Sequence, residues 1–530
     1  MKRFVQILCL YILFSGLFTL RTNAQFFNEQ GFKFVKLFSW LESYYVDTVN
    51  LDQLTDQAIR DLLHKLDPHS SYISKEEVKE MNEPLQGNFD GIGISFNVHK
   101  DTILIISVVQ GGPSQKLGIL PGDRIIQIDT ARVAGVGITS RQVMAKLKGK
   151  KGTIVKIKIL RRNIPELLDF AISRDRIPIN SLDASYKVNS NTGYIKLSRF
   201  SKTTISEVTP ILQQFNKEKV TNLIIDLTGN GGGYLDVAFS LADEFLEKDK
   251  TIVYTKGLHS ERKDYTSTES GNFEKGNVIV LIDESSASAS EIFAGAIQDW
   301  DRGLIIGRRS YGKGLVQRPL TFPDGSELRL TIARYYTPSG RLIQKSYAKG
   351  YDNYENELRE RIESGEVFGT DSKLDKIDTV SKYYTLIRKR LVYGGGGIIP
   401  DIIVPIDTSK GNPLYRAILS KGLLNSYVLD YIDVNRKMLS RKYPDFKTFN
   451  EKFIVDDTIL AGFIQYLKSK SINFSDTDFN QSKDTYQLLI KAYIANNIWT
   501  SGTFYQIYNN MNPIYLKALD AFSNRSFFMN

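Results

Sequence analysis

Apolar residues recur every three to four positions early in the chain: Phe34, Leu37, Leu41 and Tyr44, then Leu54, Ala58, Leu62 and Leu66. That spacing predicts a helical region over 25–87, its second helix ended by the turn Asp67-Pro68-His69-Ser70. From Asn88 the period shortens, and strands are predicted over 93–98, 103–108, 124–128 and 154–160, with one helix over about 140–147. Short strands around glycine turns predict a small β-barrel-like module over 88–175. From Tyr194 the pattern becomes strand, turn, helix. The apolar run 223–227 breaks at Gly229-Asn230-Gly231-Gly232-Gly233 and a helix follows to about Leu246. The unit repeats with 278–282, a Ser/Ala turn and a helix to Trp300, and 304–307 supplies another strand. Strands alternating with helices predict an α/β core over 176–408. Within it, 346–380 is charged and reads as an inserted, solvated segment; 409–530 reads as helical.

The first 24 residues read as a secretory signal. Lys2 and Arg3 precede an apolar run from Phe4 to Leu20, and Thr22-Asn23-Ala24 offers small residues for cleavage. An exported protein, periplasmic or otherwise extracytoplasmic, is expected. Proximity to a membrane follows if the run stays uncleaved, although it falls short of the ~20 residues of a span. Cys9, the only cysteine, lies inside this segment, so the mature chain has no disulfide, thiol nucleophile or thiolate metal site. Four histidines, His64, His69, His99 and His259, give no metal-binding cluster. The net charge of +10 is spread along the chain without a basic arm, which argues against nucleic acid as a partner.

Two turns carry candidate chemistry. Ser285-Ser286-Ala287-Ser288-Ala289-Ser290-Glu291 joins a buried strand to a helix, where helix amides and dipole favour an oxyanion beside an exposed serine. The same residues also suit ordinary capping, with Glu291 completing a capping box on Ser288. The turn 229–233 also follows a strand and opens a helix, so both turns can present amides to one crevice. It lacks the Gly-Lys-Ser/Thr ending of a nucleotide loop. A third piece, Tyr311-Gly312-Lys313-Gly314, places a lysine between glycines. A lysine can serve a serine as base where burial lowers its pKa, whereas most loop lysines are simply exposed.

Taken together, Ser-Ala-Ser-Ala-Ser-Glu-Ile around Ser288 and Tyr-Gly-Lys-Gly-Leu-Val-Gln around Lys313 resemble the carboxyl-terminal processing (tail-specific) protease family. Asp67-Pro68-His69-Ser70, Phe89-Asp90-Gly91-Ile92-Gly93-Ile94, Leu120-Pro121-Gly122-Asp123, Ala333-Arg334-Tyr335-Tyr336-Thr337-Pro338 and Gly397-Ile398-Ile399-Pro400-Asp401 extend the resemblance over about 35–405. It implies a serine endopeptidase with Ser288 as nucleophile, Lys313 as base and Gln317 orienting the lysine. The amides of Ala289 and Gly232 would hold the oxyanion. It also implies a PDZ domain that captures the carboxylate of a polypeptide substrate with a free, apolar C-terminus through Phe89, Gly91, Ile92 and Gly93. No metal or organic cofactor is implied. The family often has an arginine where Thr228 stands, a departure that bears on the geometry of the glycine turn.

The expected fold is thus multidomain α/β: a helical N-terminal region, a PDZ-like β module, a crotonase/Clp-like protease core and a helical C-terminal region. Asp299, eleven residues after Ser288, lies about 16 Å along the same helix at ~1.5 Å per residue, which assigns it a structural role. His69 and His259 are read as structural or exposed. A non-catalytic PDZ-containing scaffold and a crotonase-like acyl-transfer enzyme remain the rival readings. Retention of Ser288, Lys313 and Gln317 together opposes the first, and the signal and PDZ-like segment oppose the second.

Overall fold

The computed structural model describes residues 29–268, 271–369, 381–407, 412–524 and 528, in two units divided after His64. The expected signal over 1–24 lies outside the described residues. The first unit contains α1 (Glu29–Tyr44) and α2 (Leu51–His64). No residue of α1 is buried, and Phe34, Leu37 and Tyr44 are exposed. Among the described residues no helix is long and apolar enough to cross a membrane.

The second unit opens with the 67–70 turn, β1 (Ser71–Ile73) and α3 (Lys75–Gln86). Helix α3 stops at Gly87, whose φ of 76° is the left-handed conformation that glycine adopts without strain. The β module follows: β2 (Asn88–Gly91), β3 (Ile94–His99), β4 (Thr102–Val108), α4 (Pro113–Lys116), β5 (Arg124–Ile128), β6 (Ala131–Arg132), α5 (Ser140–Leu147), β7 (Ile154–Leu160), β8 (Leu168–Ser173) and β9 (Asp175–Pro178). Its sheet runs β3-β4-β5-β7-β8, leaving β3 on an edge. Ile103, Ile105, Ile125 and Ile157 from the strands pack with Val143 and Leu147 of α5. The β2–β9 ribbon joins the module to the core.

The core contains β10 (Leu182–Lys187), β11 (Thr192–Leu197), α6 (Thr204–Lys217), β12 (Asn222–Asp226), α7 (Leu235–Asp243), β13 (Thr251–Lys256), β14 (Lys263–Thr266), β15 (Asn277–Ile282), α8 (Ala289–Asp299), β16 (Gly303–Gly307), β17 (Leu315–Thr321) and β18 (Glu327–Tyr336). After the β19 (Lys382–Tyr384) and β20 (Leu391–Tyr393) hairpin comes β21 (Ile402–Ile403), and a sheet of order β10-β11-β12-β15-β16-β21 is parallel from β11 onward. Its continuous apolar runs follow from burial on both faces. Alternate residues divide between them. Leu223, Ile225, Val278 and Val280 face α6, α7 and α8, while Ile224, Ile279 and Leu281 face the other way. A second sheet, β1-β18-β13-β14 with β17 on β18, carries the loop before β17.

The segment 346–380 is not simply solvated, as its charge had suggested. Its helix α9 (Tyr351–Glu363) buries Tyr354 and Arg361. The Arg361 guanidinium donates to the carbonyls of Arg309 (2.7 Å) and Ser310 (3.2 Å), and Arg309 pairs with Glu357 and Glu366. Opposite charges in one segment neutralise each other on docking, a result that composition alone does not reveal. Residues 370–380 lie outside the described residues.

The C-terminal region is helical: α10 (Pro413–Ser420), α11 (Leu423–Lys442), α12 (Phe446–Lys452), α13 (Asp457–Ser469), α14 (Asp476–Gln481), α15 (Lys483–Ile498), α16 (Ser501–Tyr508) and α17 (Pro513–Ser523). Ile514, Tyr515, Ala518 and Ala521 of α17 cover the second face of the parallel sheet against Tyr194, Ile224 and Ile279. On the first face, Phe293 of α8 is fully buried edge-on to Phe245, with ring centroids 5.5 Å apart. Phe293→Ala removes that ring from a closed layer. It is expected to cost about 3–5 kcal/mol, read as a lowered denaturant midpoint.

Candidate active site

Strand β15 ends below the turn that carries Ser288, and α8 begins immediately after it. Ser288 has φ 56° and ψ −112°, a conformation a non-glycine residue adopts only at a cost of roughly 1–3 kcal/mol. Surrounding bonds hold it there. Ser286 Oγ donates to the Leu227 carbonyl (2.8 Å), and the Ala287 amide (3.1 Å) and Ser290 Oγ (2.9 Å) donate to that of Asn230. The Ser-rich turn and the glycine turn are therefore sewn together at the ends of adjacent strands β12 and β15.

Glu291, one turn into α8, is fully buried and ties this turn to the lysine loop. Its Oε2 accepts the amides of Ser288 (2.7 Å) and Lys313 (2.9 Å). Its Oε1 accepts the Gly312 amide (2.7 Å) and Ser310 Oγ (2.5 Å). Burial pushes the Glu291 pKa up to about 7, against the pull of these donors. On the carbonyl side, the buried Tyr335 hydroxyl of β18 reaches Ser288 O (3.1 Å) and Lys313 O. Ser288 and Lys313 are thus clamped through their amides by a carboxylate and through their carbonyls by a phenol.

Gly312 and Gly314 let the lysine loop pass close to its neighbours. A Cβ on Gly312, at φ 89°, would lie 3.2 Å from the Gly397 amide, and one on Gly314 2.8 Å from that of Gln344. Lys313 is half-buried. Burial, with Arg329 nearby, lowers its pKa, while Glu291 and Asp67 pull it back. No hydrogen bond joins Lys313 Nζ to Ser288 Oγ; in a site without substrate such contacts are often long.

Two expected residues stand differently from their assigned roles. Gln317 donates to the His69 carbonyl (3.1 Å) rather than to Lys313. Gly232 does pack on the serine turn, for a Cβ there would come within 2.8 Å of Ser288 Cβ and 2.9 Å of the Ala289 nitrogen. Its amide, however, is already engaged by Asn230 Oδ1 at 2.9 Å in an Asx turn, which spacing alone does not expose. The amides of Ala289, Gly231 and Gly233 make no hydrogen bond among the described residues. Thr228 stands beside a cation supplied from elsewhere: Lys196 of β11 donates to Thr228 Oγ1 (2.8 Å) and O (2.5 Å) and to Asp226 (2.9 Å).

The 67–70 turn borders the same site. Burial works against ionisation of Asp67, but Ser70, the His69 amide and Thr331 hold its pKa below the usual carboxylate range. His69 Nε2 meets the Tyr354 hydroxyl at 2.6 Å. Burial, with Lys313 and Lys345 nearby, pushes the His69 pKa down to about 3, so the ring is neutral in the neutral range. His259 is exposed on a turn. Asp299 is buried, pairs with Arg341 (2.8 Å) and accepts the Ser339 amide (2.9 Å), in keeping with a structural role. Sequence reasoning missed Tyr335 as a clamp and saw Glu291 only as a cap. The Ala-Arg-Tyr-Tyr run was the available signal for the first.

In the β module, Phe89 and Gly91 lie in β2, paired to Ile177 and Asp175. Ile92 and Gly93 form the loop into β3, and neither of their amides donates a hydrogen bond among the described residues. Gly93 has φ 73°, and a Cβ on it would approach Ile177 Cδ1 to 3.1 Å.

Comparison with known proteins matches residues 191–350 to peptidase family S41, 91–172 to the PDZ domain and 414–500 to a family of unknown function. A carboxy-terminal-processing protease of Bartonella bacilliformis is 36% identical over 61% of this chain and 74% of its own length. The carboxy-terminal processing protease CtpA of Bacillus subtilis is 33% identical over 60% of this chain and 67% of its own. Among solved structures, a photosystem II D1 C-terminal processing protease aligns with 25% identity over 58% of this chain and 83% of its own, at a TM-score of 0.34.

The raised pKa of Glu291 has a sign that can be measured. Between its ordinary 4.5 and about 7 the folded state holds the proton more tightly than the unfolded chain. Its contribution to stability is full below 4.5 and falls as pH rises through that window. Wild type should therefore lose stability relative to Glu291→Gln between those pH values and not beyond them, read by denaturant titration of both proteins.

Proposed function

The chain belongs to the carboxy-terminal-processing protease family and is a serine-type peptidase with a PDZ domain, and from that premise we propose that Ser288 and Lys313 are its nucleophile and base. The carrying observation is the shared Glu291 carboxylate, which fixes both backbones to one oxygen while Lys313 sits in surroundings that disfavour its ammonium form. Neutral Lys313 accepts the Ser288 Oγ proton as that oxygen attacks a peptide carbonyl. The Ala289 amide, at the start of α8, and the glycine turn stabilise the oxyanion. Lys313 then gives the proton to the departing amine. Water, losing a proton to the same lysine, releases the acyl group and regenerates Ser288.

Gln317, on β17 directly after the lysine loop, steadies that loop through its bond to the 67–70 turn. In this reading the PDZ domain takes a polypeptide tail as an added strand on the free edge of β3, with the terminal carboxylate on the Ile92 and Gly93 amides. Cleavage near the C-termini of exported proteins follows, with the 1–24 segment directing export.

Ser288→Ala is expected to abolish cleavage of an unstructured peptide with an apolar end while leaving the circular dichroism spectrum intact. Lys313→Arg keeps the charge but stays protonated, so it should be nearly inactive across the pH range. Wild-type activity should rise with pH, since deprotonated Lys313 and ionised Glu291 both lie on the alkaline side of their titrations. Cleavage by Lys313→Arg near the wild-type rate would remove lysine from the mechanism.

The tail-binding role has its own test. Gly93→Val places a β-branched residue at positive φ on the loop. Free-carboxylate peptides should bind this variant at least about tenfold more weakly, while an amidated peptide, already weak, changes little. Equal affinity of wild type and variant for the free acid would exclude the loop.

A further inference from the structure

The helical segment 414–500 meets the PDZ domain through one face of α11. Asp430 and Asp433, three residues apart, lie on that face. Asp430 contacts His99 Nε2 (2.7 Å) and Lys100 Nζ (2.8 Å). Asp433 takes both terminal nitrogens of Arg124 (3.3 and 2.9 Å), and its carbonyl accepts from Arg162 (2.6 Å). A cavity of about 740 Å³ opens along this junction, with Lys100, Arg124, Arg161 and Arg162 facing Asp430 and Asp433.

The charges in that cavity are unevenly committed. Arg161 is held bidentately by the buried Asp123 and Arg124 by Asp433, while the two carboxylates of α11 are 26% and 18% exposed. Lys100 and Arg162 also pair with these carboxylates, at 2.8 and 3.6 Å, but are 64% and 49% exposed. The outermost charges met by an incoming chain are therefore cations, although the junction as a whole is nearly balanced.

Its position follows from strand direction. A tail added antiparallel to β3, with its carboxylate at Ile92 and Gly93, runs upstream alongside β3 toward His99. At ~3.3 Å per residue, about six tail residues span β3. The seventh and earlier residues then leave the groove at the β3–β4 turn, where Lys100 stands.

We infer that the junction of the PDZ domain and the 414–500 domain is a second recognition surface, which binds an acidic stretch of the substrate just upstream of its last six or so residues. This rests on the tail-binding reading above and adds a substrate class to it: polypeptides with an apolar, free C-terminus preceded by glutamate or aspartate. It also gives the 414–500 domain a task, since α11 holds the β3–β4 turn and the Arg162 loop in register with the groove. Exposed charges act over roughly a Debye length, so the preference is sensitive to salt.

The test uses the full chain carrying Ser288→Ala and fluorescent peptides that share one apolar-ended hexapeptide, preceded by a run of glutamate, alanine or lysine. Binding is read by anisotropy at low and high salt. The glutamate peptide should bind about five- to tenfold more tightly than the alanine peptide and the lysine peptide more weakly, with the differences shrinking at high salt. Lys100→Glu and, separately, Arg162→Glu should abolish or reverse that ranking, with the bare hexapeptide as internal reference for an intact groove. Equal affinities for the three extended peptides, or a ranking that survives both variants, would overturn the inference. If the amidated hexapeptide binds as tightly as the free acid, the tail-binding reading fails and this inference falls with it.

Discussion

A single buried carboxylate organises the centre of this molecule. Among the described residues Glu291 has no cation in hydrogen-bond contact; it is satisfied instead by three backbone amides and one hydroxyl from two segments more than twenty residues apart. Ionised and dry, it would be very costly alone, and those donors are what make its place tolerable. The dependence runs both ways. The serine turn is strained, the lysine loop is packed closely through Gly312 and Gly314, and each is tied to the other through the same carboxylate. Tyr335 repeats the arrangement on the carbonyl side, so the backbones of Ser288 and Lys313 are held from both sides.

Around this centre the molecule is layered so that remote segments bear on the site. Helix α9 holds the carbonyls of Arg309 and Ser310 and, through Tyr354, touches His69. The 67–70 turn accepts Gln317 and lines the lysine's surroundings. Helix α17 closes the outer face of the parallel sheet, whose strands would otherwise expose Ile224, Ile279 and Leu281 to water. The C-terminal region is thus part of the core's burial as well as a support for the PDZ domain.

Several local patterns were legible in the sequence to within a residue or two, although the helix after the glycine turn ends at Asp243 and not near Leu246. The strands β5 and β7 and helix α5 fall on their predicted spans, because short alternating runs between glycine turns leave few alternatives. The serine and lysine turns were legible as motifs. What composition and spacing could not give was pairing through space. Glu291 reads as a cap because its second set of donors comes from 310–313. The segment 346–380 reads as solvated because its arginines and glutamates find partners only when folded. Gly232 reads as a free donor because the Asn230 side chain that occupies its amide is invisible to a count of glycines. Gln317 follows the lysine at the expected distance, but its own hydrogen bond is set by where the 67–70 turn lies.

Lys196 shows what such through-space pairing means for how this chain can change over generations. The positive charge beside Asp226 reaches it from the neighbouring strand, while position 228, where the family resemblance led us to expect arginine, holds a threonine that accepts from that lysine. Placing arginine at 228 first would crowd two cations around one carboxylate; removing Lys196 first would leave a buried anion without a counterion. Either single step would pass through a less favourable arrangement around Asp226, which couples the two positions. An aligned pair of columns that trade a basic residue across adjacent strands would be the historical trace of that barrier.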